Sequence, residues 1–162
     1  MKVLIGRYPS AAGKERKVNI RIDEWDTWNM DHTLALIVHP MLVQLKATKH
    51  GAASMVDDED VPQELRSTSA PPMENAWDTD DNLFKRWDWV MAEMIWAFSE
   101  QISEDGDSIF FDYSDVEDND AEAWDPERYK KIKIDRDGLK AYQNRKRNAF
   151  RLFGKYYQNL WD

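Results

Sequence analysis

Three stretches of this chain repeat apolar residues at steps of three and four, and stretches crowded with acid separate them. That combination calls for long amphipathic helices joined by polar loops. In the first stretch Met30, Leu34, Ile37, Val38, Met41, Leu42 and Leu45 draw one stripe, which predicts a helix over 27–48 with Asp26 as N-cap and Gly51 as stop. Pro40 falls inside it, where the missing N–H and the ring predict a kink. In the second, Leu83, Trp87, Val90, Met91, Met94, Phe98 and Ile102 form the stripe, and Trp89 and Trp96 widen it, so contact on more than one side is expected. Asp78, Thr79, Asp80 and Asp81 suit the start of that helix, where carboxylates meet free N–H groups. The third spans 137–160, with Leu139, Tyr142, Ala149, Phe150, Phe153, Tyr157 and Leu160 facing inward.

Strand signals are shorter. Residues 17–22 and 131–135 alternate apolar with polar and lead directly into helices, and Val3 to Ile5 reads as a third strand. The expected fold class is α+β: three long helices packed on a small sheet of two or three short strands, with long acidic loops. A length of 162 residues suits one domain over 1–162.

Charge is segregated along the chain. Residues 1–21 hold six basic and one acidic side chain, 51–82 nine acidic and only Arg66, 100–127 twelve acidic and no basic, and 128–162 eleven basic and three acidic. The balance is −9, which argues against gross attraction to nucleic acid or an anionic membrane. Intramolecular pairing of basic ends with acidic loops is the simplest explanation. The longest apolar run, Leu34 to Val38, is far below the roughly 18 residues of a bilayer span, so no membrane partner is expected. The chain has no cysteine, which removes disulfides and thiol chemistry and suits a reducing cytoplasm. Eight Trp, six Tyr and six Phe must be buried or spent on a partner surface.

Chemical motifs are incomplete. His32 and His39 lie seven apart, roughly 10 Å along a helix, too far to share one ion. Asp31 and His32 are adjacent and diverge by about 100° on a helix. The acidic runs 57–60, 78–81 and 115–120 are dense enough for weak, nonspecific attraction of cations, but the EF-hand register fails around Asp135 to Gly138, where it puts Lys133 at position one and Asn144 at twelve, and around Asp115, Glu117 and Asn119, where position six is Asp120 and not Gly. Glu93 and Glu100 lack the partners of a helical metallohydrolase. No glycine-rich phosphate loop and no nucleophile elbow is present, and no cofactor is expected. On the third helix Lys140, Arg147, Arg151 and Lys155 line up as one basic stripe with Tyr156 and Trp161 nearby, an arrangement able to hold nucleic acid or to face an acidic loop.

From Trp25 to Phe98 longer phrases stand out: 26–35 (DTWNMDHTLA), 48–51 (TKHG), 56–62 (VDDEDVP), 65–68 (LRST) and 84–90 (FKRWDWV), with 150–157 (FRLFGKYY) and 160–162 (LWD) at the end. These resemble an uncharacterised family of proteins encoded by marine tailed bacteriophages related to T4, also met in marine metagenomes. The resemblance covers about two thirds of the chain. It implies a phage origin and a place in the infected host's cytoplasm or on the virion; it carries over no catalytic residue.

The leading expectation is therefore a non-enzymatic phage accessory protein that binds a protein partner or itself, with Trp25, Trp28, Trp77 and Trp161 as candidate anchors. The alternatives are a metal-dependent hydrolase using Asp26, Asp31 and His32 with loop carboxylates, and nucleic-acid binding through Lys140, Arg147, Arg151 and Lys155.

Overall fold

In a computed structural model, which describes residues 1–10, 13–53, 55–75, 77–116 and 129–161, the central element is α2 (Leu83–Ile102). Against it lie α1 (Met30–Thr48) and α3 (Arg136–Lys155). Both run antiparallel to α2. His32, near the start of α1, meets Gln101 at the end of α2, while Lys49, just past α1, pairs with Asp88. On the other flank Trp87 meets Tyr156, Glu93 meets Arg145, and Glu100 meets Tyr142. The broad apolar face of α2 thus serves two neighbours. Trp87, Val90, Met91, Met94, Ala97 and Phe98 are buried, and Phe98 sets its ring edge-on to Phe150 and Phe153 at 5.2 and 4.9 Å between centroids.

The strands differ from expectation. They form two separate antiparallel ladders, β1 (Lys2–Ile5) with β2 (Val18–Arg21) and β3 (Phe111–Asp112) with β4 (Lys133–Ile134). No common sheet lies beneath the helices among the described residues. The second ladder is only two residues long on each side, too short to present a face, and β2 is exposed at every position. The register pairs Val3 with Ile20 and Ile5 with Val18, so four β-branched residues share one face of the first ladder.

Helix boundaries also shift for identifiable reasons. Asp26 does not cap α1. Its carboxylate accepts the Asp23 N–H at 2.8 Å and the Met1 ammonium at 2.8–2.9 Å, which closes a short 3-10 turn over Glu24–Thr27 and leaves α1 to begin at Met30. The helix runs unbroken through Pro40. Pro40 and Leu36 are both exposed, so water can serve the Leu36 carbonyl that proline leaves without its usual donor. Asp80 does not simply cap α2 either; it pairs with Arg86 in a bidentate bridge, two contacts of 2.7 Å. In α3 the Asp135 side chain accepts the Gly138 N–H at 2.9 Å, and a Cβ at Gly138 would come within 2.2 Å of that carboxylate and 2.9 Å of the Phe110 ring. Tyr157, expected inward, is exposed, while Leu152 and Tyr156 take the buried positions. Helical α3 stops at Lys155 and a 3-10 turn over Tyr157–Asn159 follows.

The first acidic stretch is more than a solvated loop. Ala53, Val56 and Val61 join the core, and three 3-10 turns, Asp58–Asp60, Gln63–Leu65 and Ser67–Ser69, fold it against the helices. The acidic run over 115–120 lies outside the described residues beyond position 116.

Candidate functional site

The densest polar constellation forms where this first acidic stretch meets the end of α3. Asp60, whose side chain is only 2% exposed, receives Arg151 Nη2 at 2.5 Å on one oxygen. Lys155 Nζ at 2.5 Å and the Tyr156 hydroxyl at 2.6 Å reach the other. The Tyr156 oxygen in turn accepts the Asp57 N–H at 3.0 Å, and Lys155 also pairs with the Asp57 carboxylate at 2.6 Å. Burial raises the Asp60 carboxyl pKa, but the hydrogen bonds from Lys155, Tyr156 and Arg151 outweigh it and hold the group below the ordinary carboxylate range. Tyr156 is pushed up to about 12, by burial first and then by its bond to Asp60. Lys155 is raised by its bonds to Asp57 and Asp60. Every acceptor position of Asp60 that the cluster uses is therefore filled by groups of the chain itself. Such a saturated carboxylate offers nothing to a substrate proton and works as a clasp.

Beside it Asp58 accepts the Ser67 N–H at 2.7 Å and its hydroxyl at 2.5 Å, and a cavity of about 650 Å³ opens between Asp57, Asp58, Glu59, Arg66, Ser67 and Arg86. The two arginines face three carboxylates there, so neither a cation nor an anion meets a field of one sign.

Asp31 and His32 sit elsewhere. Asp31 accepts from the Gln101 amide at 2.5 Å, and His32 Nδ1 lies 3.2 Å from the Gln101 carbonyl, so a tautomer with the proton on Nδ1 donates to it. Both groups join the start of α1 to the end of α2. Along α2, Gln101 is 14 residues from Trp87, against which Tyr156 packs, so about 21 Å separates this pair from the Asp60 clasp. Asp26 is spent on the Met1 ammonium, whose pKa it raises. Glu93 is engaged by Arg145 at 2.7 and 2.9 Å, and Glu100 accepts from Tyr142 at 3.0 Å. Among the described residues no group of three or more His, Cys, Asp or Glu side chains converges in a way that could hold a metal ion.

The basic stripe of α3 divides. Arg151 and Lys155 belong to the Asp60 clasp, Arg147 bonds Asn144 of its own helix at 2.5 Å, and Lys140 is exposed. Half of the positive charge that drew attention in the sequence faces the acidic stretch. The clasp itself was missed. The only sequence signal for it is the opposition of a nine-acid segment to an eleven-base one, which names no pair.

The four tryptophans Trp25, Trp28, Trp77 and Trp161 are all exposed. Trp25 and Trp28 lean on each other, centroids 5.3 Å apart and planes inclined 39°, on the turn that joins the β1–β2 ladder to α1. No protein-family model, no curated protein and no solved structure matches the chain.

Proposed function

We propose that this chain is a non-enzymatic, phage-encoded accessory protein, acting in the infected host's cytoplasm or on the virion, that binds a protein partner through its N-terminal end. The observation that carries this reading is the Trp25–Trp28 pair, with Trp28 78% exposed, beside a ladder whose Val3, Ile5, Val18 and Ile20 share one face. Rings and β-branched residues left in water in this way gain about 25 cal/mol for each Å² of apolar surface that a partner covers. Tryptophan is among the side chains enriched at the energetic centres of such contacts. The hydrolase and nucleic-acid readings draw less support, because Asp31 and His32 hold Gln101 while Arg151 and Lys155 hold Asp60.

The test is affinity capture from lysates of infected cells with the wild-type chain and a Trp25→Ala, Trp28→Ala variant, read by quantitative mass spectrometry. A protein enriched on the wild type and lost at least about tenfold on the variant is the expected result. Identical profiles on both would overturn the reading.

A further inference from the structure

The β1–β2 ladder has two faces of opposite chemistry. Side chains alternate along a strand, so Val3, Ile5, Val18 and Ile20 share one face, while Lys2, Leu4, Asn19 and Arg21, with Lys17 just before β2, take the other. Among the described residues neither strand has a second neighbour. The Gly6 N–H donates to the Lys17 carbonyl at 2.9 Å, which fixes the alternation: the backbone groups of Asn19 and Arg21 turn toward β1, and those of Val18 and Ile20 turn outward. β2 is exposed at every position, Val18 by 57% and Ile20 by 53%. An edge with outward N–H and C=O groups on β-branched residues is a template for another strand. Charge is the second feature. Residues 1–21 carry six basic side chains and one acidic, while the remaining 16 basic and 30 acidic side chains leave the rest of the chain at −14. Lys2, Arg7, Lys14 and Lys17 form no ion pair with any described acid, and Arg21, its side chain 78% exposed, reaches only Asp23 at 3.6 Å.

On the reading that this end of the chain binds a protein, we infer that the edge of β2 takes an extended segment of that partner as a third strand, and that the segment alternates apolar with acidic residues. Every second side chain of the added strand lies beside Val18 and Ile20 and extends their aliphatic face. The intervening side chains lie beside Lys17 and Arg21 on the other face, where acids meet basic groups that the chain itself leaves largely unpaired. The partner's backbone supplies the ladder bonds for the outward groups of Val18 and Ile20, and a third strand stabilises a ladder that is marginal with two. The two faces also select among occupants. A lipid surface reaches the aliphatic face and leaves the basic one pointing away from the headgroups. A nucleic acid reaches the basic face and leaves the aliphatic one and the strand edge in water. A second copy of the same edge sets Lys17 and Arg21 against Lys17 and Arg21, like beside like. A strand of mixed apolar and acidic residues meets both faces and the backbone at once.

The probe is a synthetic peptide of alternating Val and Glu, with two controls: the same residues arranged in two blocks, and a peptide of alternating Val and Lys. Fluorescence anisotropy with the whole chain should show the first peptide binding at least about tenfold more tightly than either control, and more weakly as ionic strength rises. In the wild type, amide exchange followed by NMR should show Val18 and Ile20 gaining protection with the peptide, while Asn19, already bonded to β1, changes little. Lys17→Glu with Arg21→Glu should lower the affinity at least about tenfold, and the same spectra show whether the ladder persists in that variant; the wild-type comparisons decide the matter where it does not. An alternating Val and Glu peptide that fails to bind, binds no more tightly than a control, or protects neither Val18 nor Ile20 would overturn the proposal. So would tighter binding of single-stranded DNA or of phosphatidylserine vesicles at the same residues. In the lysate capture above, a protein lost on the Trp25→Ala, Trp28→Ala variant but kept by Lys17→Glu, Arg21→Glu overturns this inference alone, whereas capture unchanged by either variant overturns both.

Discussion

Tyr156 donates its hydroxyl to Asp60 at 2.6 Å across 96 residues of sequence, and the bond closes the stretch after α1 onto the end of α3. Around it Arg151 and Lys155 are bound to the same carboxylate, yet they remain 49% and 31% exposed, so their charges can return to water if Asp60 is removed. Asp60→Ala should therefore cost about 2 kcal/mol, below what stranding a fully buried partner costs. Tyr156→Phe should cost about 1 kcal/mol, and urea unfolding of both and of the double variant should show non-additivity, because the two groups share one bond. Additive losses would mean that the clasp does not act as a unit.

The same cluster sets a pH window. Asp60 has its pKa lowered in the folded chain, so its contribution is present above the unfolded value near 4 and is lost as pH falls through the folded one. Tyr156 is raised to about 12, so its contribution is complete below the unfolded value near 10 and disappears as pH climbs toward 12. Denaturation midpoints measured across pH should fall at both extremes. In Asp60→Asn the acid limb should flatten.

Arg145 lies over the Trp96 ring at 3.8 Å and holds Glu93 with two nitrogens. Lysine can supply the charge but neither the planar stack nor the fork. Arg145→Lys should lower stability by about 1 kcal/mol by thermal unfolding, and a change indistinguishable from zero would show the stack to be passive.

Tryptophans on this chain should respond in opposite ways. Trp87, 2% exposed and edge-on to Tyr156 at 6.0 Å, fills the core, and Trp87→Ala should cost about 3–5 kcal/mol. Trp25→Ala and Trp28→Ala should stay within about 0.5 kcal/mol of wild type. A large loss at Trp25 or Trp28 would recast the pair as a structural element.

The helices were legible because their apolar stripes are long, and the width of α2 announced two neighbours through Trp89 and Trp96. What escaped was decided by groups distant in sequence or by polar chemistry that periodicity does not register. Asp26 has every attribute of an N-cap, but a turn with Asp23 and the Met1 ammonium claimed its oxygens first. The alternation at 17–22 and 131–135 correctly marked strands, yet nothing local states that each pairs in a ladder of its own. Asp60 looked like one more acid in a run of four, since only the folded chain brings it beneath Tyr156. Asp31 and His32 were readable as neighbours, but their shared hold on Gln101 belongs to the α1–α2 contact and not to their spacing.

α1 supplies only Ala35 and Leu42 to the fully buried interior, against six apolar residues from α2. Its share of the interior is accordingly smaller than that of α2, and in amide exchange its hydrogens should be traded for deuterium before those of α2. Whatever comes to cover the exposed hydrocarbon of Leu36 and Met41 would slow that opening in proportion to the area it takes out of water.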